Sequence, residues 1–235
     1  MAQLFTVHPE NPQARLLKQA ADLLRRGDVL AVPTDSSYAL VCQLDDRAAA
    51  DRLRHIRRLE DKQLLSLLCR DLSELASYAR VDNAQYRLLK LGTPGPFTFI
   101  LEASKEVPRR VSHPQRKTIG LRVPEHRALQ GLIELHGAPL LATTLILPDD
   151  EDPLNEPATI RQRLEQPERT NAVRTAALLE PGDELALQQG RVGETRQDDD
   201  KEQQRKDDRV DDAAAAPVGT VTLDDHRLVN ATGVE

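Results

Sequence analysis

Aromatic residues are scarce in this chain: three Tyr, three Phe and no Trp among 235 residues, or 3%. Stacking platforms for unpaired bases need such rings, so sequence-specific single-strand recognition is disfavoured. Two cysteines, Cys42 and Cys69, are too few for a disulfide framework or a zinc site. Each sits in an apolar run and reads as a buried thiol in a reducing compartment. His8, His55, His113, His126, His136 and His226 are scattered without metal-ligand spacing. There is no Gly-x-Ser-x-Gly elbow, no Walker loop and no dinucleotide Gly-rich motif, so a phosphate site would have to be built from cationic side chains. No apolar run approaches membrane-spanning length, and the first residues lack the basic start and apolar core of a secretory signal. The expectation is a soluble, cytoplasmic protein with no metal site and no membrane contact.

Charge is plentiful but unevenly placed. Charged residues make up 30% of the chain, with a net charge of −6. Lys and Arg prevail from Arg47 to Arg127, whereas acids dominate Glu194–Asp212. A locally basic body keeps anionic partners possible despite the acidic total.

Along the chain, Leu4–Val7 reads as a strand. Asn11-Pro12 reads as the start of a helix carrying Leu16, Leu17, Ala20, Leu23 and Leu24 and stopped by Gly27. Val29–Val32 is a short buried strand. Asp45-Asp46 can cap a helix whose apolar residues are Ala49, Leu53 and Ile56 and whose other faces carry Arg47, Arg52, Arg54, Arg57 and Arg58, with Lys62 beyond. Strands are expected at Leu64–Cys69, Phe97–Leu101, Ile119–Val123 and Leu140–Leu147, with helices starting at Asp71, Asp82, Pro124 and Pro157 between or after them. Strands alternating with helices imply an α/β fold with a twisted mixed sheet. The domain is expected over residues 1–166, and 167–235 as a low-complexity, disordered acidic tail of the kind a replaced or frame-shifted C-terminus would give. Only Val218–Val229 there suggests a hairpin, turning at Asp224-Asp225.

Three places carry candidate chemistry. Thr34, Asp35, Ser36, Ser37 and Tyr38 crowd behind the Val29–Val32 strand, where idle burial would be costly. Either they face a cleft or they form a plain Pro-Thr-Asp turn, with Asp35 stabilising it. Arg57, Arg58 and Lys62 end a helix that leads straight into a buried strand, which suggests fixed cations for an anion. Arg122 lies inside an apolar strand and needs an acid, carbonyls or a phosphate. Pro108–Lys117 is a second basic loop, with Arg109, Arg110, Arg116, Lys117 and His113.

Several ordered pieces resemble the YrdC/YciO family: Pro33–Leu40, Ile56-Arg57-Arg58-Leu59, Cys69–Leu75, Thr93-Pro94-Gly95, Phe97–Leu101, Lys105–Arg110 and Lys117–Pro124. They span roughly Leu4 to Gln166 and are closest to the YciO branch. The resemblance implies a twisted sheet around a large basic concave surface. It further implies double-stranded RNA or transfer-RNA binding, or synthesis of threonylcarbamoyl-adenylate from ATP, threonine and bicarbonate for the modification of an adenosine in transfer RNA. Carried onto this chain, Thr34 and Tyr38 would line a threonine pocket. Arg57, Arg58 and Lys62 would meet the triphosphate with its Mg2+, and Arg122, Thr143 and Thr144 would hold the nucleotide. Arg109, Arg110, Arg116 and Lys117 would serve RNA. Two departures stand out: the synthases' Lys-x-Arg is replaced around Arg57-Arg58, and Ala142-Thr143-Thr144-Leu145-Ile146 stands in place of their Ser-Thr-Ser-Ala-Asn.

Overall fold

Helix capping follows local chemistry closely. In the computed structural model, which describes residues 3–59, 63–113, 115–148, 150–165, 175–181, 220–224 and 227–230, three helices start on aspartates. Asp46 accepts from the Ala49 amide at 2.9 Å to open α2 (Arg47–Arg57). Asp71 accepts from Glu74 at 2.7 Å to open α3 (Leu72–Tyr78). Asp82 and Gln85 form a reciprocal capping box at α4 (Asn83–Gly92). The first helix departs from expectation. It runs as α1 (Ala14–Arg25), with Gln13 rather than Asn11 at its cap position. The amides of Glu10 and Asn11 bond to His8 Nδ1, and the Gln13 side chain accepts from the His8 amide, so residues 8–13 are tied in a turn before the helix can begin. Gly27 follows α1 at φ +84°, a conformation that favours glycine. Pro124 also lies outside its helix: α5 (Arg127–His136) is capped by His126, whose backbone is extended, and 124–126 are not helical. The last helix is α6 (Pro157–Glu165).

The described strands join one sheet: β1 (Gln3–Thr6), β2 (Val29–Val32), β3 (Ala39–Gln43), β4 (Ser66–Leu68), β5 (Ala79–Arg80), β6 (Thr98–Ala103), β7 (Thr118–Arg122), β8 (Leu140–Thr144), β9 (Thr175–Leu179), β10 (Thr220–Asp224) and β11 (Arg227–Asn230). Their order is β1-β9-β2-β3-β8-β4-β7-β6-β10-β11, with β5 beside β6. The sheet is mixed: β4 and β7 run parallel, while β3 and β8 are antiparallel. This is the expected twisted α/β architecture.

The stretch expected to be a tail supplies part of this sheet. β9 inserts between β1 and β2, pairing with both in parallel, and Ala176–Leu179 are buried. Its TAALL run is short and surrounded by polar sequence, and its partners are far away in the chain, so no local pattern announces it. The expected hairpin is present as the antiparallel pair β10 and β11. The rest of 167–235 lies outside the described residues.

Side chains alternate across the strands and make two cores. One face carries Leu40, Leu67, Ile119, Leu121 and Leu141 beneath α2, α3, α4 and α6. The other carries Leu30, Val41, Leu140 and Leu178 beneath α1 and α5. That second layer ends at β4. Over β7 and β6 the second face is less covered, with Thr98, Ile100 and Thr118 half-buried. Gly120 is needed there because a Cβ would come within 3.1 Å of Thr98 and 3.3 Å of Ser66.

A clamped turn and an unpaired arginine form the candidate site

The polar turn after β2 is first of all tied to itself. Thr34 Oγ1 accepts from the amides of Ser36 and Ser37, both at 3.2 Å. The turn is then tied across the sheet. Arg122, at the end of β7 and 6% exposed, donates to the Asp35 carboxylate, to Ser36 Oγ at 3.0 Å and to the Gly95 carbonyl at 3.3 Å. The second Asp35 oxygen accepts from the Glu125 amide at 3.1 Å. β8 and β4 separate β3 from β7 in the sheet. A bond from the β2–β3 turn to Arg122 therefore requires the turn to lie over the sheet's face, not at its rim. Arg122 alternates with Leu121 and Val123 of the first core, so that face is the second one. Burial lowers the Arg122 pKa, and the neighbouring Asp35 carboxylate counters it.

Tyr38 points the other way. It is buried in the first core, and its hydroxyl accepts the Glu180 amide at 3.1 Å, just beyond β9. Burial pushes its pKa up to about 12, with the charges of Glu180 and Glu156 adding to the rise. The Tyr38 carbonyl accepts from Leu145 at 2.8 Å, fixing the end of β8. Arg57 closes on that same end, donating from Nη1 to the Ile146 carbonyl. Its Nε is buried without a hydrogen-bond partner, and burial lowers its pKa. No carboxylate of the described residues makes an ion pair with it. Among the described residues this half-buried cation has carbonyl company but no ion-pair partner.

The residues expected to hold a nucleotide thus fall into two sets. Thr143 pairs with Leu40 on the face shared by Tyr38 and α2, while Thr144 pairs with Ala39 on the opposite face. Arg58 sits at φ +48° beyond α2 and is exposed. Lys62 lies outside the described residues. In the second basic loop Arg109, Arg116 and Lys117 are exposed, while Arg110 donates to the Leu44 carbonyl at 2.6 Å. His113 is spent locally, its Nδ1 accepting from the amides of Gln115 and Arg116. Both cysteines are buried; burial pushes the Cys42 thiol up to about 12 and Cys69 higher still. Among the described residues no cluster of His, Cys, Asp or Glu could hold a metal ion, and no helix is long and apolar enough to cross a membrane.

Two features escaped the sequence. Glu180 belongs to the segment set aside as tail, yet it meets Tyr38 through its amide and His126 Nε2 through its carboxylate at 3.0 Å. A cleft of about 880 Å³ lies beyond the ends of β4 and β7 and is lined by residues such as Lys90, Thr93 and Glu125. None of the expected site residues lines it.

The comparisons with known proteins agree with the fold. A family described as telomere recombination, Sua5_yciO_yrdC, matches residues 22–170. The protein YciO of Escherichia coli K12 is 49% identical over 166 residues, covering 71% of this chain and 81% of its own. Human threonylcarbamoyl-AMP synthase is 31% identical over 139 residues, covering 59% of this chain and 49% of that protein. The crystal structure of E. coli YciO superimposes with a TM-score of 0.76 at 37% identity, covering 98% of this chain and 95% of the other. P. abyssi Sua5 complexed with L-threonine shares the fold at a TM-score of 0.66 and 22% identity, over 76% of this chain and 50% of that one. The family match over most of the chain and the 49% identity to YciO make the chain a member of the Sua5/YciO/YrdC family.

Proposed function

We propose that the chain binds ATP and L-threonine around the Thr34–Tyr38 turn and the end of β8, and joins threonine, bicarbonate and ATP into threonylcarbamoyl-adenylate. The observation that carries this reading is Arg57, a half-buried guanidinium with an unpartnered Nε and no ion pair to an acid among the described residues. Such a group gains most from an incoming anion, because its desolvation is already in place and its counter-charge is missing. The likeness to threonylcarbamoyl-AMP synthases and to a Sua5 that binds L-threonine supports the choice of ligands. In the reaction, the threonine amine adds to bicarbonate with loss of water, and the resulting carbamate oxygen attacks the α-phosphorus. The bond to pyrophosphate breaks as the new one forms. Arg57 would stabilise the negative charge that grows on the departing pyrophosphate. Mg2+ would arrive on the phosphates of ATP. Asp35 cannot readily serve it, since both its oxygens are already committed to Arg122 and Glu125.

Arg122 has a different part in this reading from the one its motif suggests. Its Nε and Nη2 hold the turn through Asp35, Ser36 and Gly95, so its first part is to position Thr34. Pyrophosphate release measured with ATP, L-threonine and bicarbonate tests the proposal. Release is expected only when all three are present, and release indifferent to threonine would refute it. A second reading, double-stranded RNA on the 108–117 loop, is favoured by the exposure of Arg109, Arg116 and Lys117. Contacts of that kind are to phosphate and shape, so retention of duplex RNA on a filter should fall steeply with salt. Absence of retention at low salt would remove it.

A further inference from the structure

The neighbouring parallel strands β4 and β7 send the chain to opposite faces of the sheet. β4 leads into α3, whose Leu75 belongs to the first core; β7 leads through 123–126 into α5, whose Leu129 and Leu132 belong to the second. Divergence of this sort at adjacent carboxyl ends opens a crevice, the general location of ligand sites in α/β sheets. The 880 Å³ cleft lies there, and its size suits a small organic ligand.

Its walls have opposite character. The floor is apolar, formed by Leu72, Val123 and Pro124. On the α3–α4 wall stand Arg70, Asp71 and Lys90. Arg70 Nε pairs with Asp71 at 3.0 Å, which leaves Lys90 as the uncompensated charge. On the α5 wall stand Glu10, Glu125 and Arg127. Arg127 pairs with Glu10 at 3.4 Å, which leaves Glu125. His126, on the same wall, is engaged by Glu180. One wall is therefore net positive and the other net negative across an apolar floor. The lining holds three carboxylates and three Lys or Arg cations, so it has no excess of those cations to draw a triphosphate. A dipolar molecule with an apolar middle fits.

We propose that this switch-point cleft binds a short peptide with free termini, its carboxylate toward Lys90, its ammonium toward Glu125 and an apolar side chain on the Leu72–Val123–Pro124 floor. The cleft meets the ATP and threonine reading only through the Glu125 backbone amide, which bonds Asp35, so side-chain changes here test the two separately.

The test is calorimetric titration of the full chain with the tripeptide Ala-Leu-Ala. Saturable one-to-one binding is expected, weakened about tenfold when either terminus is blocked by acetylation or amidation. Lys90→Glu and Glu125→Lys should each weaken it by a similar factor. Both residues are exposed, so both variants should fold. The double variant K90E/E125K restores a dipole of reversed sense and should recover much of the affinity. Thr34→Ala and Arg57→Gln should leave it unchanged. Absence of saturable binding would overturn the proposal. So would affinity indifferent to blocked termini, or loss of binding with Arg57→Gln while Lys90→Glu is silent.

Discussion

Arg122 and Arg57 are both withdrawn from water, yet their surroundings differ in one decisive respect. Arg122 has an acid, a hydroxyl and a carbonyl on its Nε and Nη2, so its charge is already matched by Asp35. Arg57 has one carbonyl and an orphaned Nε. A buried guanidinium with its counter-charge holds structure in place, and one without it offers a place for an anion. The motif alone would give both residues to the nucleotide. Their neighbours separate them, and a set of substitutions can test that separation.

The largest effect should come from Arg122→Met, which strands Asp35 without its charge partner. A loss of about 3–5 kcal/mol in urea unfolding is expected. Adding Asp35→Asn should recover a good part of it, because the second change removes the stranded charge. If the double variant is no more stable than the single one, Arg122 acts otherwise than through Asp35.

Tyr38→Phe is next. It removes the acceptor of the Glu180 amide, with an expected cost of about 1–2 kcal/mol. Hydrogen exchange at Glu180 should accelerate with it, since the hydroxyl ties the end of β9 to the first core. Unchanged exchange there would show that β9 is held by its ladder alone.

Arg57→Gln should change stability by less than about 1 kcal/mol while weakening ATP about tenfold, the reverse of the Arg122 pattern. A large stability loss with intact ATP binding would place Arg57 beside Arg122 as a structural residue.

The smallest effect concerns a third group withdrawn from water without a full set of partners. His136 at the end of α5 has a buried, unpartnered Nδ1, and burial together with Arg25 lowers its pKa. The folded state therefore takes up the proton less readily than the unfolded chain. Its stability contribution is present above the ordinary histidine pKa, roughly 6.5, and is lost as pH falls through the folded value. His136→Gln should flatten the stability profile on that acidic side, and an unaltered slope would assign the pH dependence to other groups.

Much of the fold could be read from short-range signals. The aspartate caps at Asp46, Asp71 and Asp82, the buried spacing of Ala49, Leu53 and Ile56, and the strand at Val29–Val32 all depend on residues within a turn or two of each other. Where local signals competed, expectation slipped. Bonds between His8 and Gln13, and from the Glu10 and Asn11 amides to His8, hold the chain in a turn ahead of α1, and Pro124 lies before α5 because the cap falls on His126. The candidate site was legible as a list of residues but not as an arrangement. Thr143 and Thr144 look like one pair of hydroxyls, yet strand alternation puts them on opposite faces.

The sequence by itself determined the alternation of strands and helices, the caps and the membership of the apolar layers, because each is written in spacing along the chain. Tertiary structure alone decided that β9 would be captured between β1 and β2, that Asp35 would reach across two intervening strands to Arg122, and that Arg57 would pair with no acid among the described residues. Those outcomes depend on which distant groups the folded sheet brings within hydrogen-bond reach, and electrostatic partnership in a buried place is set by that distance and not by the identity of the charge.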